Sequence, residues 1–319
     1  MLYMKIYAPS YYGKFKCIAD KCKHSCCVGW EIDIDEESLE RYKRIEGEFG
    51  ERIRKNISFN AETPHFITDN NEKCPFLNEC GLCDMITELG EDSLCEICAM
   101  HPRFRNFFTD REEIGLGLCC EAAAELLLSE RDNVVLVELE GSDEFDEEPD
   151  GEEKEFFAER ERILEMIQDR SIPVFRRLLK VCEMLGAGLD SVSAETVARL
   201  FPSLEYMNEE FGIKLFYVFM KNDAVEVNEE WEIPLEQLAV YFIMRHTAEG
   251  LYGGDLPERV AFCALCVEAV YRVTVERMKE EGIPFFEALC DTARLFSSEI
   301  EYSTDNTETL LEAIAGFNN

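Results

Sequence analysis

Apolar side chains in the second half of the chain recur at three- and four-residue spacing, the period of an amphipathic helix. Phe156, Phe157, Ile163, Leu164 and Ile167, with Arg160 among them, follow it, as do Val174, Leu178, Val181, Cys182 and Leu185. Gly186 is placed to stop the second of these helices. Leu235, Leu238, Ala239, Phe242 and Ile243 repeat the pattern after Pro234, which suits a first helical turn. A longer helix is predicted from about Pro257 to Glu280, separated by Gly282 and Pro284 from another over Phe285–Leu295. Nearer the N-terminus, Glu36–Lys55 reads as one helix opened by Asp35 as cap. Between Phe59 and Phe108 the pattern gives only short elements around turns, and Val134–Leu139 is the best strand candidate. The fold class expected is mainly α: an irregular cysteine-rich N-terminal lobe packed with a C-terminal helical domain.

Composition divides the 319 residues in the same way. Residues 1–137 form a cysteine-rich domain and 156–319 a helical domain. Between them, eleven of the eighteen residues from Glu138 to Glu155 are acidic, a self-repelling run that reads as a linker or loop. The formal net charge is −35, of which −7 falls on residues up to Cys120 and −28 beyond it. So acidic a surface argues against nucleic acid, whose phosphates need clustered cations, and favours a cationic substrate or basic protein partner. No apolar run is long enough to span a membrane, and the N-terminus has no secretory pattern, so a cytoplasmic protein is expected.

Eleven of the fifteen cysteines lie between Cys17 and Cys120. In a reducing compartment so many thiols, odd in number, do not read as a disulfide framework. Their clusters are Cys17-x4-Cys22-x3-Cys26-Cys27, Cys74-x5-Cys80-x2-Cys83, Cys95-x2-Cys98 and Cys119-Cys120. Short loops bring thiolates to one metal at low entropic cost, and four per site is usual for zinc and for iron–sulfur clusters. One or two sites are therefore affordable, and spacing alone leaves the metal open between zinc and iron–sulfur. Adjacent residues in extended chain point to opposite sides, so Cys26 and Cys27 serve different centres or only one of them ligates. His24 is a lesser ligand candidate. Cys182, Cys263, Cys266 and Cys290 lie in apolar helical stretches and read as core, while His65 and His246 read as structural.

Several ordered motifs carry a resemblance to a known family. Phe15-Lys16-Cys17-Ile18 through Ser25-Cys26-Cys27-Val28-Gly29-Trp30-Glu31-Ile32 resembles the opening signature of the flagellin lysine-N-methylases and their iron- or zinc-chelating relatives. Cys74-Pro75-Phe76-Leu77-Asn78 with Gly81-Leu82-Cys83 and Leu89-Gly90, then Leu94-Cys95-Glu96-Ile97-Cys98 with His101-Pro102-Arg103, then Cys119 before Glu121-Ala122-Ala123, follow in the same order. Tyr241-Phe242-x2-Arg245 is similar to an aromatic-plus-arginine segment of the family. Cys80 is extra to the pattern, and Cys120 stands where the family has a proline. Carried over position by position, the resemblance implies metal ligands among Cys17, Cys22, Cys26, Cys27, Cys74, Cys83, Cys95, Cys98 and Cys119. It implies methyl transfer from S-adenosylmethionine to flagellin lysines, with an iron–sulfur cluster of the 4Fe–4S kind; zinc is the alternative metal.

The residues are compatible with that chemistry without singling it out. A lysine amine attacks a methyl group only when unprotonated, and its free pKa is about 10.4, so carboxylates to attract it and aromatics to desolvate it are needed. No Gly-x-Gly-x-x-Gly follows a strand, which excludes the common nucleotide-binding fold as the cofactor site. Cys22-x3-Cys26 has no third cysteine at Gly29, which counts against a radical signature. Tyr241 and Arg245, four apart on one helix face, are the catalytic candidates. Trp30, His101 and Arg103 are cofactor-site candidates, Trp30 as a solvent shield and the other two as donors to thiolate sulfur. The alternative function is a non-catalytic zinc- or iron-binding protein that presents an acidic helical domain to a basic partner.

Overall fold

A computed structural model describes residues 5–60, 63–140, 148–187, 193–224 and 226–317. The protein is mostly helical, 59% helix and 10% strand. The strands are β1 (Lys5–Pro9), β2 (Ile57–Ser58), β3 (His65–Phe66), β4 (Arg103–Phe107), β5 (Arg111–Leu116) and β6 (Leu136–Glu140). The chain forms two compact units. A cysteine-rich unit takes Lys16–Phe104 and Cys120–Ala122; a helical unit takes the residues up to Phe15, Arg105–Cys119 and Ala123 onward.

In the cysteine-rich unit lie α1 (Glu36–Arg44), α2 (Gly47–Lys55), α3 (Asp84–Leu89) and α4 (Glu96–Met100). Asp35 caps α1 as expected, its carboxylate accepting from the Ser38 amide at 2.8 Å. The single helix expected over Glu36–Lys55 is two helices. Gly47 at φ +81° turns the chain between them, and Gly50 lies so close to the Ile45 carbonyl that a Cβ there would sit 2.0 Å from its oxygen. Ile32, Ile34, Tyr42, Ile53, Ile57, Phe66, Phe76 and Met85 form the core, together with Cys74 and Cys95.

The helical unit holds most of α5 (Glu121–Ser129) and all of α6 (Gly151–Ile167), α7 (Val174–Leu185), α8 (Ala194–Ala198), α9 (Glu209–Lys221), α10 (Glu232–His246), α11 (Gly250–Gly253), α12 (Leu256–Glu281), α13 (Phe285–Phe296) and α14 (Thr304–Phe317). Helix α12 packs on α7, α9, α10, α13 and α14. Residues Pro234–Met244 of α10 are buried all round the helix, so its polar side chains must find partners inside the protein. Gly186 and Gly282 end α7 and α12 in left-handed conformation, as the pattern predicts.

The strands join in the order β4-β5-β1-β6, with β1 parallel to β5 and antiparallel to β6. Pairing Tyr7 with Glu113 and Glu138 draws the N-terminal strand into the helical unit. The acidic run takes regular structure at its two ends. Residues 138–140 belong to β6, and 151–155 open α6, where the Asp150 carboxylate accepts from the Glu153 amide at 2.8 Å and acidic side chains suit the helix N-terminus. Residues 141–147 of that run lie outside the described residues.

Candidate metal centre

The cysteine-rich unit is built from turns that end on thiols. Residues 27–29 lie alongside 72–74: the Cys74 amide donates to the Cys27 carbonyl at 2.8 Å and the Gly29 amide to Glu72 at 3.1 Å. From Cys74 the chain loops through Asn78, whose Oδ1 accepts from the Cys80 and Leu82 amides (2.9 and 3.0 Å) while Nδ2 donates to Asp84 at 2.9 Å. Arg52 on α2 clasps the loop, donating to Asp84 and to the Pro75 carbonyl, each at 2.7 Å. Cys83 thus immediately precedes α3, and Cys95 immediately precedes α4, whose first amide, Glu96, is held by Asp35 at 2.8 Å.

These turns gather Cys27, Cys74, Cys83, Cys95 and Cys98 against one core. The Cys27 thiol hydrogen-bonds to Cys26 and to Cys83, and Cys95 to Cys98; Cys74 feels Cys83 and Cys95, and Cys98 feels Cys27 and Cys74. Backbone amides point at the sulfurs: Phe76 and Leu77 at Cys74, Met85 and Ile86 at Cys83, Cys98 at Cys95. Crowded thiols cannot all ionise without a counter-charge. The hydrogen bond to Cys26 and burial push Cys27 up to about 12, burial pushes Cys74 up to about 11, and only Cys95, taking hydrogen bonds from Cys98, goes down. Sulfurs with amide donors are of the kind a thiophilic metal takes, and its charge would reverse that repulsion, although among the described residues no three of these sulfurs lie within 4.8 Å of one another.

Trp30 packs on the same core, its Nε1 donating to the Cys26 carbonyl at 2.6 Å, with the His101 ring 6.1 Å away. Burial and the nearby Arg103 push His101 down to about 4, so it is a neutral imidazole at physiological pH. Arg103 directs donors to the Ala99 and His101 carbonyls. Cys22 sits in a second neighbourhood with Cys120 and Glu121, whose carboxylate also takes the Lys23 amide at 2.9 Å and His24 at 3.2 Å. Cys17 is exposed, its sulfur accepting from the Ala19 amide, and Cys80 is exposed as well. Cys119 belongs to the helical unit and is hydrogen-bonded to Tyr302. Glu31, Asp33 and His65 bring one ligating atom each within 4.8 Å of one another, but both carboxylates are exposed, as acidic surface groups commonly are.

Tyr241 and Arg245 meet in the helical unit, the guanidinium donating to the phenol oxygen at 3.1 Å. Both converge on Glu301, a buried carboxylate that also binds His246 at 2.6 Å. No periodic or family signal marks Glu301 in the sequence. Cys182, Cys263 and Cys266 are buried core residues, as their apolar helical surroundings predict.

Among the described residues no helix is long and apolar enough to cross a membrane. No family model and no solved structure matches the chain. Over 138 residues, 41% of this chain, it is 25% identical to the lysine-N-methylase of Salmonella typhimurium, and equally so to that of Salmonella choleraesuis. The same figures hold for the flagellar biosynthetic protein FliU of Salmonella muenchen. The matched stretch covers 34% of each methylase and 80% of FliU, so the chain spans about a third of the length of the first two relatives.

Proposed function

We propose that the protein is a lysine N-methylase acting on flagellin, with S-adenosylmethionine as methyl donor and an iron–sulfur cluster held by thiols of the cysteine-rich unit. The observation that carries this reading is the gathering of Cys27, Cys74, Cys83, Cys95 and Cys98 against one core, three of them with amides aimed at sulfur, in a chain that is similar to lysine-N-methylases. When bound, a cluster with an open iron supplies a Lewis-acid hold for the amino and carboxylate groups of the methyl donor.

The chain's own residues do the rest. Cys74 and Cys95, buried, and Cys27, Cys83 and Cys98, half-buried, supply the thiolates, and Trp30 and neutral His101 keep water from that side. The acidic surface draws a lysine ammonium toward the protein. In the transfer the amine, having lost a proton to water, forms a bond to the methyl carbon as the carbon–sulfur bond breaks and its electron pair returns to sulfur. The methylated ammonium then releases a proton for any further round.

The test uses protein purified without oxygen. Iron and sulfide content, with added mass in steps of one methyl on flagellin lysines, is the expected result, and Cys95→Ser and Cys83→Ser should abolish both. A colourless zinc protein that methylates nothing would leave the second reading, a metal-folded binding protein. Iron and sulfide without methyl transfer would also sink the methylase reading.

A further inference from the structure

The sequence nominates Tyr241 and Arg245 as the groups that act on substrate, yet both point into the protein. Tyr241 is buried, and its hydroxyl donates to both Glu301 oxygens at 3.1 and 3.0 Å. It accepts from Arg245 Nη1 at 3.1 Å and from the Leu118 amide at 3.3 Å. Arg245 Nε lies 3.2 Å from Glu301 Oε1, and its guanidinium stacks 4.6 Å over the Tyr302 ring. His246 completes the set at 2.6 Å from Glu301, its ring fixed between Phe242 and Phe262.

Glu301 is fully buried at the end of a π-helical turn, Ser297–Glu301, closed by the Tyr302 amide donating to the Ser297 carbonyl at 3.1 Å. A π turn costs hydrogen-bond geometry and recurs where a helix must re-aim side chains at a functional site. Here it places Glu301 inward and leaves Tyr302 half exposed. Two paths lead out of the buried carboxylate. One runs through Tyr241 to the Leu118 amide; the other runs through Arg245 to Tyr302, whose hydroxyl donates to the Cys119 sulfur. They end on consecutive residues.

We propose that Glu301 is a positioning residue that acts through Tyr241 and Arg245 to hold Leu118, Tyr302 and thereby the Cys119 thiol in place for methyl transfer. This rests on the methylase reading, and Tyr241 and Arg245 are then also positioning residues. Of the assembly, Tyr302 is half exposed and Cys119 is partly buried.

The experiment compares wild type with Glu301→Gln and with the paired Glu301→Gln/Arg245→Met, which removes both buried charges. Amide exchange at Leu118, read by fragmentation mass spectrometry, and kcat and KM for flagellin methylation are measured on protein whose melting temperature is known. The paired variant regains wild-type melting but exchanges Leu118 about tenfold faster, the effect of one lost hydrogen bond. Its kcat falls about tenfold or more with KM unchanged, as misplacement of a reacting group predicts. Should Glu301→Gln alone fail to fold, the paired variant decides. Recovery of melting, Leu118 protection and kcat together would reduce the network to ordinary core packing and overturn the inference. If wild type itself transfers no methyl, the methylase reading fails separately; faster Leu118 exchange in the paired variant would then uphold the positioning, and unchanged exchange would overturn it.

Discussion

Replacing Asn78 with alanine is the sharpest probe of how the thiol loop is held. Its side chain makes three hydrogen bonds, accepting from the Cys80 and Leu82 amides and donating to the Asp84 carboxylate, all at 2.9–3.0 Å. The two neutral bonds contribute about 1 kcal/mol each and the bond to a charge about 1.5–3 kcal/mol. Asn78 is half-buried, so water replaces part of what is lost, and a net cost of about 2–3 kcal/mol follows. At a urea dependence of roughly 1–2 kcal/mol per molar, the midpoint of the cysteine-rich unit should fall by about 1–3 M. The protein has two tryptophans, Trp30 in this unit and Trp231 in the helical unit, so fluorescence in a Trp231→Phe background reports the unit that carries the change. Asn78→Asp keeps the acceptor but sets a second carboxylate beside Asp84, and should be at least as destabilised. An unfolding free energy within about 0.5 kcal/mol of wild type would refute the claim that this side chain organises the loop.

Other outcomes follow from the same geometry. Glu113→Gln in the helical unit strands Arg160, which is 5% exposed and ringed by Phe108, Phe156 and Phe157, and should cost about 3–5 kcal/mol by urea unfolding, most of it recovered on adding Arg160→Met. Burial opposes ionisation of Asp84, but hydrogen bonds from Asn78 and Arg52 outweigh it and hold the carboxyl below its ordinary range. Its stabilisation is therefore complete above the unfolded pKa of about 3.9 and is lost as pH falls through the lower folded value, so Asp84→Asn should flatten the Trp30 midpoint against pH below about 4. Chelation should lower the Trp30 transition while leaving the Trp231 transition in place, because thiol–metal sites contribute on the order of 10 kcal/mol to small domains; coincident transitions before and after would contradict it.

What the sequence made legible is what depends on local order. Gly186 and Gly282 mark helix ends because a left-handed residue is a local requirement, and Asp35 is readable as a cap because its partner, Ser38, is three residues away. The break at Gly47 is less visible: the helical pattern continues across it, and only the close approach of Gly50 to the Ile45 carbonyl shows why the chain must turn. Strand β1 was hidden because its partners, Arg111–Glu113 and Leu136–Glu140, lie more than a hundred residues away and no periodicity links them. Glu301 was hidden for the same reason, its partners on α10 lying 55 to 60 residues earlier.

The thiols show how far ligand counting can go from spacing alone. Cys119 and Cys120 diverge: Cys119 is hydrogen-bonded to Tyr302 in the helical unit, whereas Cys120 faces Cys22 in the cysteine-rich unit. Cys26 and Cys27 behave otherwise, because the turn that ends at Val28, its amide on the Ser25 carbonyl, is not an extended segment, and the two thiols hydrogen-bond to each other. Both pairs lie in turns or bends, so the alternation of extended chain decides neither of them. The five thiols that gather are those whose turns are tied by backbone ladders or by Asn78, Arg52 and Asp35. Cys80 is exposed although Asn78 holds its amide at 2.9 Å, so a tied turn fixes where the backbone runs without by itself turning a thiol toward the core.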